Sequence, residues 1–343
     1  MVVERHRTPP LRPGETLPPI ARRPLEVLGV WERFAHDGHE RAVGQRSLWG
    51  SGVAAESDFI RHPYGAGWHL DRRRFEAMLL DEAARAGARI VRGRDVAAIV
   101  PDGGTWRLGD LTAPVAVDAT GRAAVLARAG GVDRVSIDQL IGITAFFDDA
   151  RDADRYTLIE ATEHGWWYAA PLPGRRLVVA FMTDGDVAAR RSLGRPGAWI
   201  AELEQTSATR ARVAAARLAG EPRIASANSS RLSSVVGPAW VAAGDAALSF
   251  DPLSSQGLDT ALSCGIDAAR AIDAHLRADP DAFLAYASVV TKIWTDYLVD
   301  RARYYGLERR WPASPFWRRR QLGGASPPIF AGGRLAGKAR ART

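Results

Sequence analysis

Apolar and polar positions follow two different rhythms along the 343 residues. From about 140 to 183 the rhythm is that of strands. Residues 141–147, 156–161, 166–171 and 177–183 are rich in β-branched and aromatic side chains and are parted by turn formers, with Pro173 and Gly174 marking one tight turn. They predict an antiparallel sheet. Elsewhere helical spacing dominates. Phe75, Met78, Leu79, Ala83 and Ala86 follow i, i+3, i+4 steps behind Asp71, a natural cap, and Gly87 stops the run. Leu25, Leu28 and Trp31 place a helix over 23–34, and further helices are expected over 198–216, 257–276 and 280–310. Short apolar runs at 2–5, 88–91, 115–119 and 240–243 read as buried strands. Residues 96–100 and 105–108 flank Asp102-Gly103-Gly104 as a hairpin. Prolines 9, 10, 13, 18 and 19 exclude regular structure until about Ala21, and the glycine- and aromatic-rich stretch 44–69 reads as loop and short strand.

Composition narrows the class. Apolar residues make up 46% of the chain and charged residues 25%, which excludes a disordered protein. There is no run of about 18 apolar residues, so no membrane span is expected. The first residues lack the apolar core of a signal peptide, which makes the cytoplasm the default location. One cysteine, Cys264, excludes an internal disulfide and a multi-cysteine metal site. The net charge of +7 looks like a signal for an anionic partner. Its distribution removes that signal. Residues 301–343 hold ten arginines and one lysine against one acid, which leaves residues 1–300 slightly acidic. Nothing in the basic end resembles a nucleic-acid-binding module. His62, His69 and His164 show no metal-ligand spacing and read as surface or loop residues, so no metal site is expected.

The most informative stretch is 241–262, which runs strand, Gly244-Asp245, Pro252, Gly257, helix. Gly244 lets the backbone approach a ligand, and Asp245 offers an acceptor to sugar-like hydroxyls. Pro252 stiffens the turn. Gly257 opens a helix whose first amides suit developing negative charge.

This segment resembles the second FAD-contacting motif of the flavoprotein monooxygenases and flavin-dependent halogenases. Three other segments agree. Arg72-Arg73-Arg74-Phe75 is similar to the family's Arg-x-x-Phe helix start, whose arginine lies near the FAD. Asp118-Ala119-Thr120-Gly121 resembles the Asp-Ala-Thr-Gly turn beside the adenosine side. Gly14-Glu15-Thr16 resembles the Gly-Glu loop of halogenase-like members. The resemblance implies an α/β fold: an FAD-binding Rossmann-like, ββα three-layer unit with an inserted antiparallel substrate sheet and C-terminal helices. It divides the chain into an FAD-binding unit (1–43, 66–130 and 225–280), a substrate sheet (44–65 and 131–224), a helical region (281–320) and a disordered basic tail (321–343). It makes Glu4, Arg72, Asp118, Gly121, Gly244, Asp245, Pro252 and Gly257 cofactor-binding residues.

The family's opening Gly-x-Gly-x-x-Gly turn is not found in this sequence. Residues 2–5 resemble the end of the second Rossmann strand, with Glu4 placed to bind the adenosine ribose. The expectation is therefore a chain that lacks the first βα unit of this fold, through a late start assignment or a real loss.

Residues 165–171, Gly-Trp-Trp-Tyr-Ala-Ala-Pro, resemble the Trp-x-Trp-x-Ile-Pro signature of the halogenases, with its second Trp and its Ile replaced. Trp166, Tyr168 and Pro252 are the candidates for lining the flavin and substrate chamber. Halogenases also carry a lysine soon after the Gly-Glu loop to handle hypohalous acid, and here no lysine precedes Lys292. The resemblance then implies a monooxygenase that hydroxylates an aromatic, indole-like group through a flavin hydroperoxide. Electrons would come from NAD(P)H or a partner flavin reductase. Two alternatives stand. The wording of 164–184 and of the aromatic-rich 304–318 is similar to flavoprotein maturases that act on a tryptophan of a partner protein. A non-catalytic remnant is the other. The aromatic cluster at 304–318 reads as a helix packed on the substrate sheet rather than as a docking site.

Overall fold

The structure, a computed structural model, describes residues 1–8, 14–95, 98–102, 105–150 and 154–322. Prolines 9, 10 and 13, Val96, the Gly103-Gly104 turn and the basic tail from 323 onward lie outside the described residues.

An eight-stranded sheet forms the larger layer. Its strands run in the order Arg217–Leu218, Leu140–Asp148, Arg176–Asp184, Gly165–Leu172, Tyr156–Thr162, Gly44–Leu48 and Ala55–Asp58, and Arg223–Ser226 also pairs with Leu140–Asp148. The register sets Phe147 opposite Leu177, Ala169 opposite Val179 and Leu158 opposite Ala169. Successive side chains of a strand point to opposite faces, and here both faces are covered. Ile143, Ala145, Phe147, Trp167, Val179 and Phe181 pack on one side with Trp199. Trp166, Ala180 and Met182 pack on the other with Tyr305, Phe316 and Trp317. That is why these strands read as nearly unbroken apolar runs, and why the 304–318 aromatics pack on the sheet as expected. The pairing is antiparallel with one exception: Gly44–Leu48 runs parallel to Tyr156–Thr162. The polar residues of this strand and of the exposed Ala55–Asp58 kept the bounds of both out of the hydrophobic pattern, which gave loop and short strand over 44–69.

The rest of the chain is α/β. Val2–Glu4 pairs in parallel with Ile90–Arg92, and Ala116–Asp118 in parallel with Trp240–Ala242. Most of the large sheet is inserted in the long connection between the second pair. The expected 115–119 strand is only partly buried, since Val117 is 44% exposed. Gly257–Leu276, found at its expected bounds, packs with Ala282–Leu307 around Val241, Cys264, Tyr286, Val290 and Tyr297. Among the described residues, no helix is long and apolar enough to cross a membrane.

Three expectations change. The helix over 23–34 is two, Arg22–Val27 and Trp31–Ala35. Gly29 takes a left-handed φ of +70° that stops the first. Leu28 turns out to solvent, while Leu25 and Phe34 fill the core. The helix over 198–216 is also two, Pro196–Leu203 and Ala208–Val213. The Glu160 carboxylate, from the large sheet, accepts hydrogen bonds from the backbone N–H and hydroxyl groups of Ser207 and Thr209, and so caps the second helix. Finally, the proline-rich start holds regular structure before Ala21: Thr16–Leu17 pairs antiparallel with Gly67–His69, ahead of a single 3-10 turn at Pro19–Ala21.

Candidate active site

The Gly244-Asp245 turn follows the strand Trp240–Ala242. Gly244 has φ +58°, and a Cβ there would meet the Ala261 Cβ at 3.2 Å. Only glycine holds this bend tight against the 257–276 helix. The back of the turn is clamped by Arg134, whose guanidinium donates to Asp245 O at 2.6 Å and Ala246 O at 2.8 Å. The Asp245 side chain stays half-exposed, with Arg122 Nε at 3.8 Å. Burial of its surroundings raises its pKa, and Arg122, Arg134 and Arg72 pull it back.

The Asp118 turn lies beside it. Ala243 N donates to Asp118 O at 3.0 Å. The buried Asp118 carboxylate accepts from Thr120 N, Thr120 Oγ1 and Ala127 N at 3.1, 2.7 and 3.0 Å. Its bonds are internal, so its part in the site is to shape the turn that carries Gly121 and Arg122. Arg122 in turn donates to Phe250 O at 3.0 Å and to Asn228, tying this turn to the approach to Pro252.

Asp251 is buried at that approach. Its Oδ1 accepts from Leu253 N at 3.0 Å, and its Oδ2 accepts from the Tyr305 hydroxyl at 2.6 Å. Tyr305 also accepts the Trp166 indole N–H at 3.1 Å. Thus Trp166, expected to line a chamber, is a core residue that braces the Pro252 turn through Tyr305. Pro252 and Gly257 themselves are exposed. The helix Gly257–Leu276 has no side-chain cap from Gln256, which leaves its first amides for another acceptor.

On the other side stands the Gly14-Glu15 loop. Arg72, the first residue of the helix Arg72–Arg85, donates to Gly14 O and to Glu76 Oε1, each at 2.6 Å. Asp71 caps that helix through Arg74 N, as expected. Glu15 is buried, and its Oε2 accepts Gly14 N at 2.8 Å. Burial pushes its pKa up to about 7, against the Gly14 N–H and the Arg72 charge. Tyr168 hydrogen-bonds Thr16 through its hydroxyl. Burial raises its pKa, and the Glu15 charge adds to this. Arg72 acts electrostatically on both Glu15 and Asp245. Arg72 thus links the Gly14 loop electrostatically to the Gly244 turn.

Two expected residues fall elsewhere. Glu4 ends its strand by accepting His6 N at 2.8 Å, and among the described residues no hydrogen bond or ion pair joins it to this cluster. His69, read as a surface or loop residue, is fully buried in a strand, with Nε2 3.1 Å from Thr157 Oγ1, and burial lowers its pKa to about 3. Among the described residues, no group of three or more His, Cys, Asp or Glu is arranged to hold a metal ion. Arg134, Asp251 and Tyr305 escaped the sequence reading. Arg134 is one arginine among many, and Tyr305 read only as part of an aromatic cluster.

The chain matches the tryptophan halogenase family over residues 51–329. It belongs to that family. Among its relatives is LodB of Marinomonas mediterranea, named as an FAD-dependent oxidoreductase, 32% identical over 81% of this chain and 77% of that one. The sulochrin halogenase gedL of Aspergillus terreus is 24% identical over 87% of this chain, which spans 63% of that longer protein. Among solved structures, the myxobacterial chondrochloren halogenase CndH superposes with a TM-score of 0.83 at 23% identity, over 93% of this chain and 79% of that one. The peptidyl tryptophan dihydroxylase QhpG superposes with a TM-score of 0.71 at 26% identity, over 93% and 72%. The fold is that of the flavin-dependent halogenases, an FAD-binding Rossmann-like unit with a substrate sheet, and the chain is a halogenase-like flavoprotein oxidoreductase.

The residues in place fit FAD. Among the described residues, two buried polar atoms of this cluster, Glu15 Oε1 and Arg72 Nε, have no hydrogen-bond partner. With the uncapped helix start and the half-exposed Asp245, they offer donors and an acceptor suited to a polar, hydroxyl-rich ligand with an anionic edge.

Proposed function

We propose that this chain is an FAD-dependent monooxygenase that hydroxylates an electron-rich, indole-type ring. The observation that carries the proposal concerns lysine. Family resemblance assigns the handling of hypohalous acid to a lysine near the Gly-Glu loop. Lys292, the one lysine among the described residues, sits exposed on the Ala282–Leu307 helix, paired to Asp296 at 2.6 Å. Membership of an enzyme family supports a working enzyme over a non-catalytic remnant.

When bound, FAD supplies the redox chemistry that activates dioxygen, with electrons from NAD(P)H or a separate flavin reductase. The residues of this chain bind and orient. Asp245 accepts from hydroxyls, Arg72 donates through Nε, and the first amides of Gly257–Leu276 stabilise negative charge at the cofactor's edge. The Asp251–Tyr305–Trp166 chain holds the Pro252 turn still, and the apolar sheet face beside it excludes water.

A second reading places the ring in a tryptophan of a partner protein. It is favoured by the likeness to QhpG, whose name assigns it peptidyl tryptophan as substrate. One assay tests both. The protein is given FAD, a reductant, dioxygen, and either indole compounds or a tryptophan-containing protein, with bromide present. A product heavier by oxygen is expected. A brominated product would overturn the monooxygenase reading, and turnover of the free indole alone would overturn the second.

A further inference from the structure

Glu15 and Arg72 both bind the backbone of one residue, Gly14. The Gly14 N–H donates to Glu15 Oε2, and the Gly14 carbonyl accepts from Arg72 Nη1. Among the described residues, their remaining atoms, Oε1 and Nε, are buried without a hydrogen-bond partner. The loop cannot turn away to satisfy them. Leu70 N donates to Glu15 O at 2.7 Å, Thr16 is bonded to Tyr168, and Thr16 pairs with His69 across the small sheet.

Among the described residues, the charges around Glu15 leave it without a counterion of its own. Arg72 is shared with Glu76 at 2.6 Å and also reaches Asp245. Arg176, from the large sheet, acts on Glu15 more weakly and pairs with Asp148 at 3.4 Å. Tyr168 and His69, which border the loop, are both held neutral by burial.

We propose that Glu15 is the group through which FAD binding is coupled to proton uptake, with the occupied site holding its carboxyl protonated so that Oε1 donates a hydrogen bond inward. This deepens the proposed function and rests on its FAD site. The physical cause is direct. The cofactor is an anion that, when bound, would exclude water around the Glu15 carboxyl and would draw on the Arg72 guanidinium. Each effect disfavours a carboxylate there. In the free protein the carboxyl loses its proton around neutral pH, as its burial already dictates.

The test is calorimetric titration of the full chain with FAD in two buffers of different ionisation enthalpy. Uptake of about one proton per FAD is expected near pH 8, fading to none near pH 5.5, with affinity falling about tenfold per pH unit above neutrality. Glu15→Gln, which mimics the protonated form, is expected to bind FAD without uptake and without that pH dependence. Binding with no proton uptake in the wild-type chain, or unchanged uptake in Glu15→Gln, would overturn the proposal. The wild-type pH series decides even where the variant fails to fold. Absence of FAD binding at every pH would instead overturn the site itself.

Discussion

The large sheet and the cluster around Gly244 are built on opposite principles. In the sheet, regular backbone pairing is covered on both faces by apolar side chains such as Trp166, Trp167, Phe181 and Trp199, all fully buried. The cluster hangs on short turns, two- and three-residue strands and arginine side chains that bind backbone carbonyls. The buried polar atoms left without a partner, among the described residues, follow the same division. Trp167 Nε1 belongs to the large sheet, while those of Glu15, Arg72, Arg134, Arg301 and others lie outside it. One region supplies stability. The other holds polar groups poised for a ligand, at a cost that the first offsets.

That contrast is broken most severely by Trp167→Ala. Trp167 stacks on Phe181 at 4.6 Å and meets Trp199 edge-on at 5.2 Å. A loss of about 3–5 kcal/mol in urea unfolding is expected. A loss below about 1 kcal/mol would mean that the sheet is not the stabilising region.

Next comes the pH dependence of the free protein. The folded Glu15 pKa lies above its unfolded value of 4.5, at about 7. The folded state therefore binds more protons between these values, and stability falls as pH rises from about 4.5 to 7, by roughly 3 kcal/mol. His69, lowered to about 3, acts in the opposite sense: stability is lost as pH falls from its unfolded value toward 3. The difference between wild type and Glu15→Gln isolates the first contribution. Parallel stability curves for the two proteins would contradict it.

Tyr305→Phe removes the hydrogen bonds of Asp251 Oδ2 and of the Trp166 N–H, leaving that carboxylate oxygen only the Arg301 ion pair at 3.8 Å. A loss of about 1–3 kcal/mol is expected, together with weaker FAD binding. A stability loss with FAD affinity untouched would separate the Pro252 turn from the site. The smallest expected effect is that of Asp71→Ala. It removes the bond to Arg74 N at 3.1 Å and costs about 1 kcal/mol.

The same contrast governs what the sequence disclosed. Four strands of the sheet and the Gly257–Leu276 helix were legible to within a residue or two, because burial writes itself into apolar periodicity. The bounds and pairing of Gly44–Leu48 were not, since it is a polar strand that joins the sheet by backbone pairing to residues more than a hundred positions away and to the exposed Ala55–Asp58. Nor was the break between the helices Pro196–Leu203 and Ala208–Val213, which a distant carboxylate, Glu160, imposes. Gly244, Asp245, Gly257 and Arg72 were legible as motifs. Arg134 and Tyr305 were not, because their work is done through hydrogen bonds across long sequence separations.

Equilibrium titration of the chain with FAD, followed by flavin fluorescence and compared with Gly244→Ala, tests the central claim most directly. At φ +58°, with the Ala261 Cβ 3.2 Å from the added methyl, alanine forces the turn and Asp245 to move. Saturable binding of FAD by the wild-type chain is predicted, weakened about tenfold or more in a variant whose circular dichroism is unchanged. Equal affinity in the two proteins, or no saturable binding by the wild type, would contradict it.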